Sequence, residues 1–90
     1  VAEGTIVMHH ALINAGASVG KNCIINNKAL IEHDAVIEDH CHISTGAVVN
    51  GGARIGRGSF LGSGAVVAET TSMPFSSFIK ANSLYRKRDE

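Results

Sequence analysis

The stretch "IEHDAVIEDHCHISTGAVVNGGARIG" (31–56) places an apolar branched residue at every sixth position: Ile31, Ile37, Ile43, Val49 and Ile55. The series extends outward on both sides, through Val7, Ile13, Val19 and Ile25 before it and Leu61 and Val67 after it. Four residues after each stands a small side chain, as in Ala29, Ala35, Cys41, Ala47, Ala53 and Ser59. Glycine favours the expected corner positions, Gly16, Gly46, Gly52, Gly58 and Gly64 sharing one, Gly20, Gly56 and Gly62 another.

A period of six matches neither the helical repeat nor the simple alternation of a strand. It suits a short strand and a tight turn repeated around a coil, with branched residues inward and small ones where the chain bends. Three hexads close a triangular coil of 18 residues, and stacked coils pair their strands at a spacing of ~4.8 Å. Three interior columns follow: Val7, Ile25, Ile43, Leu61; Ile13, Ile31, Val49, Val67; and Val19, Ile37, Ile55. The expected fold is an all-β parallel β-helix of hexapeptide repeats over 7–68, after a lead-in over 1–6. Met73 and Ile79 keep the series more weakly, so 69–90 is expected to form a degenerate last coil and a basic tail. The end, "YRKRDE" (85–90), reads as a solvated terminus, with phosphate binding as the alternative.

Composition narrows the rest. Ninety residues allow one small domain, and ten glycines with no tryptophan leave no aromatic core. The formal net charge of zero points to neither nucleic acid nor an anionic membrane surface. No apolar run approaches the ~20 residues that span a bilayer, and no signal-peptide pattern is present. Two cysteines make no disulfide framework, so a reducing cytoplasm is the expected location. The chain begins at Val1 without methionine, which reads as a fragment of a longer protein.

Residues 31–44 hold three of the five histidines, four carboxylates and Cys41, a composition that suggests a metal site or a nucleophile. Position in the hexad argues against both. Cys41 and Cys23 occupy the small inward slot and read as buried, inert filler. In "HCH" (40–42) alternate side chains point to opposite faces, so the three cannot converge on one ion, and no metal is expected. His33 and Asp34 fall at a corner, where they are either solvated turn residues or a base beside a carboxylate that orients its ring. His42 falls in a slot otherwise filled by residues such as Ile24, Val48 and Phe60, where a histidine is often simply packed. His9, His10 and His40 have weaker claims. Gly51 lies 18 residues after His33, on the same corner one coil higher, where its backbone N–H could approach a reacting carbonyl.

The hexads, the "EHD" of 32–34 and the second histidine nine positions after His33 together resemble the hexapeptide-repeat acyltransferases. Within them, the sialic acid O-acetyltransferase and nucleotide-sugar N-acetyltransferase family is most similar. The matching segments are "GTIVMHHALINAGASVGKNCIINNKALIEHD" (4–34) and "HISTGAVVNGGARIGRGSFLGSGAVV" (42–67). The resemblance implies a left-handed β-helix and transfer of an acetyl group from acetyl-CoA, as co-substrate, to an amine or hydroxyl of a sugar. It implies His33 as general base supported by Asp34, and His42 against the thioester region, the "EHD…H" group forming one working corner. It implies coenzyme A contacts at Ser63 and Ala81, largely through backbone groups, and assembly as a homotrimer with sites between subunits. Two features depart from the family. Residues 1–6 hold no nucleotide-sugar domain of the kind relatives carry before the β-helix. A "G-x-P-A-K"-like ending is replaced by "KANSLYRKR" (80–88). The rival reading is a non-catalytic β-helix serving as a scaffold or trimerisation module.

Overall fold

A computed structural model describes residues 1–87. Arg88, Asp89 and Glu90, the end of the expected basic tail, lie outside the described residues. Among the described residues the backbone makes fourteen two-residue strands: β1 (Ile6–Val7), β2 (Leu12–Ile13), β3 (Ser18–Val19), β4 (Ile24–Ile25), β5 (Leu30–Ile31), β6 (Val36–Ile37), β7 (His42–Ile43), β8 (Val48–Val49), β9 (Arg54–Ile55), β10 (Phe60–Leu61), β11 (Val66–Val67), β12 (Ser72–Met73), β13 (Phe78–Ile79) and β14 (Leu84–Tyr85). Every third strand stacks on the last, which gives three parallel sheets. The first face holds β1, β4, β7, β10 and β13, the second β2, β5, β8, β11 and β14, and the third β3, β6, β9 and β12. Registers advance by one 18-residue coil, Ile25 on Ile43 and Ile43 on Leu61, Ile31 on Val49 and Val49 on Val67. The fold is the expected parallel β-helix. Among the described residues there is no helix long and apolar enough to cross a membrane.

The interior is a ladder of like on like. Ile25, Ile43 and Leu61, then Ile31, Val49 and Val67, then Ile37 and Ile55, are essentially without solvent contact. The small slot also points inward, with Ala35, Ala47, Ala53 and Ala65 fully buried beside the branched columns. In the first coil the column is less covered, and Val7 is 42% exposed. The weak echo of the repeat past Val67 is enough to hold the coil. Met73 pairs with Ile55 and is buried, and Tyr85 pairs with Val67.

The two glycine series do different work. Every sixth residue from Gly4 to Asn82 has a positive φ, the left-handed conformation that turns each corner. Gly16, Gly46, Gly52, Gly58 and Gly64 occupy it without the steric cost of a Cβ. The expectation that Gly20, Gly56 and Gly62 also serve as corner residues is corrected: none has a positive φ. They follow a strand, at the point where the next coil passes closest. A Cβ on Gly62 would collide with the Ala81 backbone, and one on Gly56 with that of Pro74 and Phe75.

Candidate functional site

Corner 33–34 joins β5 on the second face to β6 on the third. Its column runs Ala15–Gly16, His33–Asp34, Gly51–Gly52, Glu69–Thr70, tied by Asp34 N–H donating to Ala15 O, Gly52 N–H to His33 O and Thr70 N–H to Gly51 O. His33 and Asp34 both reach outward, with about two-thirds or more of each side chain exposed. Two glycines make room for them. A Cβ on Gly16 would strike the Asp34 carboxylate, and a Cβ on Gly51 would stand 2.6 Å from His33 Nε2. Gly51, expected to act through its backbone N–H, thus also has a steric role.

His33 Nδ1 lies 3.3 Å from Asp34 Oδ2. An ionised carboxylate only accepts, so this contact places the ring proton on Nδ1. Nε2 is then the basic nitrogen, and it is the one that lies against Gly51. Both groups are exposed, so the pair sets orientation more than stability. A cavity of about 330 Å³ opens here, lined by Glu32, His33, Asn50, Gly51, Glu69 and Thr70. That volume is at the lower end of small-molecule sites. Asn50, Glu69 and Thr70 belong to no motif, and Glu32 enters only as the first residue of "EHD"; none of the four is expected as a site residue from the sequence. The 18-residue register is the signal that finds them, since 32 precedes 50, and 51 precedes 69, by one coil.

The other expected residues sit elsewhere. His42, on β7, projects from the first face, in a column with Ile24 and Phe60. Its ring meets Phe60 edge to face at 5.2 Å, and Phe60 stacks on Phe78 at 5.1 Å. Asn26 Nδ2 lies 3.4 Å from His42 Nε2. A corner joining the second and third faces is opposite the first, so His33 and His42 are on opposite sides of the prism. Nine residues are half a coil. The expectation that "EHD…H" gathers at one corner is therefore corrected: within one chain it does not. Ser63 and Ala81 are exposed on the corner between the first and second faces, above Asn27 and Thr45, through Gly46 N–H to Asn27 O, Gly64 N–H to Thr45 O and Asn82 N–H to Ser63 O. That corner adjoins the face of His42. Two separate edges result, one holding His33, Asp34 and Gly51, the other His42, Ser63 and Ala81.

The cysteines lie inside. Cys23 and Cys41 are 0% and 2% exposed, and their thiols donate to Glu38 O and Gly56 O, each at 3.2 Å. Burial pushes the Cys41 thiol up to about 11, so it stays protonated near neutrality and makes a poor nucleophile. Among the described residues no three or more His, Cys, Asp or Glu side chains gather where they could hold a metal ion.

Comparison with known proteins agrees with this architecture. The bacterial transferase hexapeptide family (six repeats) matches residues 34–69, less than half of the chain. The acetyltransferase domain of PglB from Neisseria gonorrhoeae FA1090, solved in complex with acetyl coenzyme A, is 33% identical over 88% of this chain, with a TM-score of 0.86. A second structure of that domain is 30% identical over 91% of this chain, with a TM-score of 0.73. The present chain spans 38% and 46% of those two solved chains. No curated protein sequence matches.

Proposed function

We propose that this β-helix is the catalytic part of an acetyltransferase that moves an acetyl group from acetyl-CoA to an amine or hydroxyl of a sugar. One observation carries the reading. His33 presents Nε2 to an open cavity, with Nδ1 held by Asp34 and a glycine backbone alongside. The similarity to a domain solved with acetyl coenzyme A supplies the donor class.

His33 Nε2 takes the proton of the acceptor N–H or O–H as the acceptor's lone pair attacks the thioester carbonyl. The carbonyl oxygen becomes an oxyanion, and the Gly51 N–H donates to it. Collapse of the tetrahedral intermediate breaks the C–S bond. The thiolate of coenzyme A takes the proton from the His33 imidazolium, leaving the acetylated acceptor and free thiol. No covalent acyl-enzyme is needed. General-base assistance is worth ~10²–10⁴ in rate, and positioning of two substrates supplies much of the rest.

Both edges described above serve one reaction only if two copies of the chain meet. We place acetyl-CoA between the His33 edge of one copy and the His42–Ser63–Ala81 edge of a neighbour, in a homotrimer with three equivalent clefts. The outward side chains support self-association. Ile6, Ile24 and Phe78 on the first face and Leu12 and Leu84 on the second are exposed and apolar, whereas the third carries Ser18, Arg54 and Ser72. Exposed apolar surface of this extent marks an interaction face. A turnover screen for thiol release from acetyl-CoA, with amino-sugar nucleotides and sialic acids as acceptors, tests the reading. Release with one acceptor class supports it. No binding of acetyl-CoA by calorimetry would instead leave the scaffold role.

A further inference from the structure

Three asparagines occupy the hexad slot immediately before a corner: Asn14, Asn26 and Asn50. The first two cap the corner. Ala15 N–H donates to Asn14 Oδ1 and Asn27 N–H to Asn26 Oδ1, each at 2.8 Å. Asn50 does otherwise. Its Nδ2 donates to Val67 O at 3.0 Å, and its own backbone N–H donates to the same oxygen at 3.1 Å. A carbonyl only accepts, so this contact fixes the amide with Nδ2 toward Val67. Among the described residues the Gly51 N–H is left without a partner. Other corners also leave this N–H open, but Gly51 lines the cavity together with His33.

We infer that Asn50 is a positioning residue that keeps the Gly51 N–H available, by holding its own side chain on Val67 O and so withholding the cap that Asn14 and Asn26 supply. The catalytic consequence rests on the proposed acetyl transfer; the geometric one does not. Asn50→Asp is the informative variant. A carboxylate cannot donate to Val67 O and is repelled by it, so it turns to accept the Gly51 N–H. Asn50→Ala removes the tether without adding a cap.

Amide hydrogen exchange on the full chain reads the geometry without any ligand. The Gly51 N–H should exchange faster than those of Ala15 and Asn27, and Asn50→Asp should slow it by ~10-fold or more. Exchange at Gly51 as slow as at Ala15 and Asn27, or no slowing in Asn50→Asp, overturns the inference. Thiol release from acetyl-CoA, with an amino-sugar nucleotide as acceptor, reads the chemistry. At the alkaline plateau of each pH–rate profile, Asn50→Asp should lower kcat by at least ~10-fold with the KM for acetyl-CoA little changed, and Asn50→Ala by less. An equal or larger loss in Asn50→Ala overturns the positioning role. If the wild-type chain releases no thiol with any acceptor, the proposed function fails, and the exchange measurement still decides what Asn50 does.

Discussion

The imidazole of His33 lies against Gly51, one coil above it, so closely that a Cβ there would stand 2.6 Å from Nε2 and 2.7 Å from Cε1. Gly51 does not have a positive φ, so alanine suits its backbone. The atoms in the way are the far end of a flexible, exposed side chain. Gly51→Ala should therefore change stability by less than ~1 kcal/mol in denaturant unfolding. It should nonetheless lower kcat by ~10-fold or more, because the ring must leave its place. Unaltered turnover in a folded Gly51→Ala protein would remove Nε2 from the reaction.

Half of a coil separates His33 from His42, which makes subunit complementation informative. His33→Ala and His42→Ala chains, each impaired alone, are unfolded together and reassembled in equal amounts. With one residue drawn from each of two neighbouring copies, about a quarter of the clefts regain both, and a corresponding share of wild-type activity returns. Should the mixture show no more activity than its components, no cleft combines the two residues across copies.

Much of this was legible beforehand. The sixth-residue series identified the interior columns, Ile25–Ile43–Leu61 among them, because each inward position faces its own counterpart one coil away. Orientation of Cys23 and Cys41 followed from the same count. His33 was legible as a corner residue; what the motif obscured was that His42 stands on the face opposite that corner, although nine residues in an 18-residue coil already imply it. The cavity's other walls were hidden for a different reason. Glu32, Asn50, Glu69 and Thr70 are ordinary surface residue types, and only stacking brings them together. Side-chain choice between two partners, as at Asn50, has no signature in the repeat.

Cys41 gives a pH test of the packed interior. Its folded thiol ionises at about 11, against the ordinary value of 9.0, because burial opposes the charged form. Above pH 9 the unfolded chain loses a proton that the folded chain keeps. This contribution is therefore whole below pH 9 and lost as pH rises towards 11, by about 2 kcal/mol. Chemical unfolding between pH 8 and 11 should show that decline in the wild type and less of it in Cys41→Ala, whose thiol release at neutral pH should stay near normal. An equal decline in both would mean that the buried thiol does not set it.

Removal of the acceptor's proton by His33 can be checked in His33→Ala, with turnover and binding measured on the same sample. Thiol release from acetyl-CoA should fall at least ~100-fold while calorimetry still shows acetyl-CoA bound with little loss of affinity. Turnover near the wild-type value in that variant would mean that His33 is not the general base.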